Sequence, residues 1–438
     1  MEWWLVIIIV FGSLILLLAA GLPVAFCFMT LNIIGAYFFW SGTAGLNQLI
    51  TSMYRSISTF SFLPVPMFVL LGEVLFQSGA AIHAIDVVDK WLGKLPGRIS
   101  LVAVFSGTLL AALTGASIGA AAMLGSMLMP DMDRRGYKVE MSVGPCMSGG
   151  GLAAIIPPSA LAVIVATLAE LSVGKILIAG VIPGLLMASL YTFYIVGRSI
   201  LQPHLAPPYV PAAIPLRQKL ADTVRHVLPL GVIVFTVTGV IFLGVATPTE
   251  SAAMGAAASF LLVACYGKLN WPLLKKTMVA TLSVTIMFLI ILTGAVAFSQ
   301  ILSFTGASAQ MVQMAIGGSL NPSLLVGMMM VIVLLMGCFM ETVSILMITI
   351  PIFFPIIRGL GLDPVWFGLL MLVNVETGLM TPPFGMLIFV MKGVIPSNIT
   401  MGDIIKSGFP FVICNLIAIG LVIAFPVIAL WLPNFVTY

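Results

Sequence analysis

Long stretches of this chain show no alternation of apolar and polar positions. Residues 3–20, 176–196, 224–243 and 409–432 are continuous apolar runs. As helices they are long enough, or nearly so, to cross a hydrocarbon core about 30 Å thick. A membrane β-barrel would instead alternate over segments of about ten residues. The pattern predicts an all-α polytopic membrane protein. Two stretches between the runs are amphipathic. Residues 78–95 set His83, Asp86, Asp89, Lys90 and Lys94 among apolar positions, and residues 306–320 have Gln310 and Gln313 as their polar face. Both suit helices lying in the membrane interface, as arms joining a fixed part of each half to a moving part.

The chain also repeats itself. Displaced by 225 positions, Pro23 falls on Pro248, Pro130 on Pro355, Gly136 on Gly361, and Pro157-Pro158 on Pro382-Pro383. Residues 1–213 and 226–438 hold thirteen prolines each, so chance supplies about one proline match rather than four. The boundary falls in the polar, proline-rich stretch 202–225, which reads as a linker. Cations give the orientation. With both chain ends outside and residues 98–135 forming a hairpin that enters and leaves on the cytoplasmic side, fifteen Lys and Arg face the cytoplasm. Only Arg55, Lys175 and Arg358 face outward. The matching hairpin, residues 322–358, then enters from outside, so the two repeats are inverted, as in many secondary transporters.

Composition sharpens this. Of 438 residues, 61% are hydrophobic and 7% charged, against about 25% charged in soluble domains. The net charge of +4 comes from scattered cations that form no stripe, which argues against nucleic acid. The five cysteines lie in apolar segments without metal-ligand spacing and read as small buried hydrophobes. Glu2 stands where a signal peptide would be basic, so the N-terminus reads as the first membrane helix.

Four places combine Gly, Pro and hydroxyl residues at membrane depth: Thr114-Gly115-Ala116-Ser117, Gly149-Gly150-Gly151 with Pro157-Pro158-Ser159, Gly337 to Thr342, and Gly378 with Thr381-Pro382-Pro383. Non-helical backbone persists in a membrane only when buried in protein or lining a polar cavity. The prolines lack N–H donors and push the preceding residue out of the helical region. Carbonyls released there can coordinate a hard cation such as Na+, and N-termini of broken helices can face an anion. One re-entrant hairpin turn and one broken helix per repeat predicts two similar cation sites with a substrate cavity between them. Thr114, Pro157, Pro158, Ser159, Pro382 and Pro383 are the expected substrate-side residues. Intramembrane acids are costly and point to function. Glu341 and Glu376 stand beside the breaks, where they can assist cation binding or fix the backbone. Glu73 is a candidate contact for a partner subunit. Glu250, beside Pro248, suits a helix start. No residue at the breaks is cationic, so a bound carboxylate would rely on helix N-termini, hydroxyls and co-bound cations.

These segments resemble the large membrane (M) subunit of tripartite ATP-independent periplasmic (TRAP) transporters, DctM-like. The residues carrying the resemblance are Gly115-Ala116-Ser117 with Met129-Pro130 and Arg135-Gly136-Tyr137, Ile156-Pro157-Pro158-Ser159, and Ala179-Gly180 with Ile182-Pro183-Gly184. In the second half they are Ala246-Thr247-Pro248-Thr249-Glu250, Leu362-Asp363-Pro364, and Glu376-Thr377-Gly378-Leu379 with Thr381-Pro382-Pro383-Phe384-Gly385. They follow the family's order across nearly the whole chain, and their specificity lies in the combination.

The resemblance implies an elevator-type importer of organic acids in the bacterial inner membrane, driven by Na+ as coupling ion and needing no other cofactor. Its partners would be a small membrane (Q-type) subunit and a periplasmic (P-type) substrate-binding protein. The family's cation-binding turns map onto Gly115, Ser117, Gly337 and Thr342, and its broken helices onto Gly150, Pro157, Gly378 and Thr381; Glu341 joins the candidate ion ligands. Scaffold falls to residues 1–96 and 226–320, and the moving part to 97–200 and 321–434. Gly151-Leu152-Ala153 departs from the family, which often has a Thr and a further Gly there. The alternative is a stand-alone Na+/carboxylate symporter. An enzyme is not expected, because no His-Glu-x-x-His or Gly-x-Gly-Asp constellation is present. A channel fits two inverted hairpins less well than alternating access does.

Overall fold

The computed structural model describes residues 3–114, 117–207, 214–317 and 321–435. Among them there are helices and no β-strand. Six helices are long and apolar enough to cross a membrane, from Val173–Leu201 to Met401–Ala424. A seventh candidate is the bent pair Pro64–Gln77 and Ile82–Leu92, which turns by 72°. The turn is local chemistry: Ser78 ends one helix, and Gly79 takes a left-handed φ of 67° that a side chain would resist. The amphipathic arm expected at residues 78–95 is the helix Ala80–Leu92. Its expected counterpart is Ala307–Gly317, with residues 318–320 outside the described part.

Helix bounds recur at the displacement seen among the prolines. The first hairpin pairs Arg98–Thr114 with Ser117–Arg134, and the second pairs Pro322–Gly337 with Thr342–Gly359. The second helix of each pair starts and ends 225 residues from its counterpart. The recurrence of bounds does not extend to every helix. Thr43–Ile57, the short 3-10 turn Phe60–Phe62 and Pro64–Gln77 are separate in the first half, whereas the corresponding stretch of the second is one helix of 34 residues, Trp271–Phe304. Between the halves, helix resumes at Leu216, so the latter part of the expected linker is already structured.

Two packing groups result. Pro64–Gln77 lies against Pro248–Cys265 and Trp271–Phe304, and Trp271–Phe304 also packs on Val24–Phe39. The second group joins the first hairpin to Val143–Gly151 and Met401–Ala424, and the second hairpin to Pro364–Leu379. Polar links tie the halves together inside each group. Asn32 Nδ2 donates to Gly294 O at 2.7 Å. Ser407 Oγ accepts from Gly144 N at 2.6 Å and donates to Val139 O at 2.8 Å. Tyr191 OH donates to Asn415 Oδ1. Such bonds contribute about 1 kcal/mol each, but leaving a buried partner unpaired costs more. At one end, Lys90 of the arm pairs with Asp222 at 2.7 Å, and Arg98 with Asp89 at 2.6 Å.

Glu250 does start a helix: Thr247 Oγ1 accepts its N–H, and its Oε2 accepts from Thr247 N at 2.8 Å, a reciprocal cap. Four of the cysteines are buried as expected. Cys265 is exposed, because it falls at the last turn of its helix.

Candidate functional site

The first hairpin turn meets the second broken helix. Ser117, the first residue of its helix and 4% exposed, donates from Oγ to Glu376 Oε1 at 2.7 Å. Glu376 is 1% exposed, and its Oε2 has no hydrogen-bond partner among the described residues. Gly151, from the first broken helix, lies against that oxygen: a Cβ there would sit 3.6 Å from Oε2. Three of the four breaks read from the sequence thus converge on one buried carboxylate. Gly115 lies outside the described residues, and of Thr114 only its place at the helix end is described.

Each break is held by its own residues. Val143–Gly151 passes into a 3-10 turn at Leu152–Ala154, then through the cis Pro157-Pro158 bond to Ala160–Leu168. Ser159 caps that last helix by accepting from Ala162 N at 3.2 Å, and donates to Ala154 O at 2.7 Å across the gap. Gly150 is there for closeness: a Cβ would come within 2.5 Å of Ala121 N in the first hairpin. In the second half, Glu341 caps Thr342–Gly359, with Oε1 accepting from Ser344 N at 3.2 Å and Ser344 Oγ at 2.8 Å. Pro364–Leu379 ends before the cis Pro382-Pro383 bond, and Thr381 Oγ1 donates back to Thr377 O at 2.7 Å. Gly337 and Gly378 touch backbone to backbone: a Cβ on either would lie 2.6 Å from the other's Cα.

A cavity of about 240 Å³ lies where the packing groups face each other, lined by Glu73 from the first group and by Ser117, Gly119, Glu341, Thr342 and Leu379 from the hairpins and the second broken helix. Glu73 accepts from Gln77 Nε2 at 3.0 Å through Oε2. The cavity's four oxygen-bearing side chains, Glu73, Ser117, Glu341 and Thr342, stand in an otherwise apolar lining; carboxylate and hydroxyl oxygens are the donor type of alkali and alkaline-earth cations.

The structure therefore brings Ser117, Glu341 and Thr342 to one cavity, and sets Gly337 against Gly378 and Gly150 against the first hairpin. Other candidates lie elsewhere. Ser159 is fully buried with its hydroxyl committed. Pro157 lines a separate, largely apolar cavity of about 680 Å³ with Val87 and Trp91 of the arm, and Pro382 and Pro383 are exposed. Glu376 and Glu73 carry more of the site than their sequence context indicated. Their signal was the intramembrane carboxylate itself.

The family model described as "Tripartite ATP-independent periplasmic transporter, DctM component" matches residues 11–428. A C4-dicarboxylate TRAP transporter large permease protein of Pseudomonas aeruginosa is 32% identical over 89% of this chain and 90% of its own length. An ectoine TRAP transporter large permease protein of Halomonas elongata is 29% identical over 97% of this chain and 98% of its own. Among solved structures, the YdaH transporter of Alcanivorax borkumensis, described as having an unusual topology, superposes with a TM-score of 0.62 at 16% identity, covering 87% of this chain and 89% of that one. That likeness concerns the fold. With the family model spanning nearly all of the sequence, the chain belongs to the DctM component family of tripartite ATP-independent periplasmic transporters.

Proposed function

We propose that this chain is the translocation subunit of a Na+-driven, binding-protein-dependent importer of organic acids, working by an elevator mechanism in the inner membrane. The observation that carries the reading is the buried Ser117–Glu376 contact, which joins a hairpin turn of one half to the broken helix of the other beside a largely apolar cavity that holds the side chains of Glu73, Ser117, Glu341 and Thr342. A carboxylate with one oxygen unpartnered among the described residues supports a cation site there. Ser117, Thr342 and Glu341 are its nearest companions, with Gly115, Gly150, Gly337, Gly378 and Thr381 shaping the two breaks. The two packing groups support a fixed scaffold (1–96 and 226–320) and a moving part (97–200 and 321–434). The named relatives are permease subunits of TRAP transporters rather than enzymes, which supports a small membrane subunit and a soluble binding protein as partners.

The test is uptake into proteoliposomes holding this chain and its small membrane partner, with an imposed Na+ gradient and a panel of labelled organic acids. Uptake is expected to need both Na+ and the binding protein. Uptake with Na+ alone would instead identify a stand-alone symporter, and uptake indifferent to Na+ would remove the coupling ion.

The cation distribution supports an inverted repeat with both chain ends outside. In a Cys265→Ser background, an impermeant thiol reagent is expected to label Arg217→Cys only from the cytoplasmic side and Leu360→Cys only from outside. The opposite pattern would reverse the topology.

A further inference from the structure

A second, larger cavity of about 1020 Å³ opens between the Thr43–Ile57 helix, the end of Trp271–Phe304 and the segment after Ala160–Leu168. Its wall is mixed where the 240 Å³ cavity is largely apolar: Gln48, Thr51, Ser52, Ser299, Gln300 and Ser303 all contribute polar groups. Arg55 lines it too, from the last turn of its helix. The guanidinium of Arg55 makes no ion pair or hydrogen bond among the described residues. The one acid on the rim, Glu170, lies 4.0 Å from Arg358 Nη1, and Arg358 Nη2 also donates to Ala169 O at 2.5 Å. The rim acid thus has its own counter-ion, and Arg55 is left as the uncompensated charge.

The neighbouring amide is oriented to match. Ser52 Oγ donates to Gln300 Oε1 at 2.6 Å, which leaves the Gln300 NH2 as a donor on the same wall. A guanidinium fork with an adjacent amide donor complements a carboxylate.

The cavity also lies next to the site described above. The Ala160–Leu168 helix lines the 240 Å³ cavity with Ala160, Leu161 and Ile164, and the polar one with Ala166, Thr167 and Leu168. Where they adjoin, Phe62 of the polar cavity packs against Phe288 of the other at 5.9 Å between ring centroids. This aromatic pair joins the linings of the two spaces.

We propose that the polar cavity is a carboxylate-binding vestibule in which Arg55, assisted by Gln300, receives the anionic cargo before it passes the Phe62–Phe288 pair. The assignment of cargo class rests on the organic-acid reading above. By the distribution of Lys and Arg, the vestibule belongs to the outer face, where a soluble carrier would release its load.

The test reads the cavity without transport, so it fails or succeeds independently of the uptake assay. In full-length protein with Cys265→Ser, a reporter is introduced as Ser299→Cys, with Ser303→Cys in parallel. Its rates of modification by an anionic sulfonatoethyl and a cationic trimethylammonioethyl methanethiosulfonate are compared. Arg55→Ala is expected to lower the anionic-to-cationic rate ratio roughly three- to ten-fold, as loss of one nearby charge requires. Millimolar succinate, the carboxylate probe, is expected to slow labelling in the parent and not in Arg55→Ala. Arg55→Lys should keep the rate ratio yet weaken succinate protection, because a point charge replaces the bidentate fork. An unchanged ratio in Arg55→Ala, or no protection by succinate in the parent, would overturn the vestibule.

Discussion

Glu376→Gln is expected to leave the protein folded and to raise the Na+ concentration for half-maximal uptake about ten-fold or more. Glutamine keeps the length of the side chain and an oxygen that can accept from Ser117, which now donates to Glu376 Oε1 at 2.7 Å. What it removes is the capacity to carry a negative charge beside a cation, at a group 1% exposed whose second oxygen has no hydrogen-bond partner among the described residues. Hydrogen bonds to charged groups contribute about 1.5–3 kcal/mol, against about 1 kcal/mol for neutral ones. A loss of about 1.4 kcal/mol from cation binding is a factor of ten. Glu376→Ala is a different lesion. It strands the buried Ser117 hydroxyl and opens a void, at a cost of about 2–4 kcal/mol, and lowers thermal stability in detergent as well as uptake. Ser117→Ala should shift Na+ dependence in the same direction as Glu376→Gln. If the glutamine variant takes up substrate with the parent's Na+ dependence, Glu376 is not a cation ligand.

Gly337→Ala is expected to cost about 1–3 kcal/mol of stability and most of the uptake activity. The new Cβ would lie 2.6 Å from Gly378 Cα and 3.0 Å from Gly378 C. These are backbone atoms in the last turn of the Pro364–Leu379 helix, so no rotamer change relieves the contact. The hairpin must move away from the Pro364–Leu379 helix, two residues from Glu376. Gly327→Ala, on the same hairpin helix, meets nothing within 4 Å. It should be neutral or slightly stabilising, since alanine favours helix by about 1 kcal/mol over glycine. Thermal unfolding of the two variants in one detergent checks the contrast. Equal behaviour would mean that the Gly337–Gly378 contact is not tight.

The breaks were legible because their chemistry is local. Glycine, proline and capping side chains end a helix within a turn, so Ser117, Thr342, Pro157-Pro158 and Pro382-Pro383 announced the discontinuities. The Thr247–Glu250 cap was readable for the same reason. Which break meets which was not legible. Ser117 and Glu376 are 259 residues apart, and nothing within either segment specifies the other. Glu73 could be identified as a costly carboxylate, yet only packing shows that it lines the cavity beside the hairpins. The Thr43–Phe62 stretch drew no functional reading, because a polar helix among apolar ones looks like a connection until Gln300, distant in sequence, is folded onto it.

The contrast between Trp271–Phe304 and its counterpart stretch gives the two halves different mechanics. A helix of 34 residues is a continuous strut about 51 Å long, which must lean or project beyond the hydrocarbon to fit. Its counterpart is jointed: two rods meet at Phe60–Phe62. Load applied across the molecule therefore bends the first half at that joint while the second half stays stiff, as a hinge pinned to a beam. Arg55 sits on the rod before the compliant point and Phe62 within it, so any flexing there alters the shape of the chamber that both residues line.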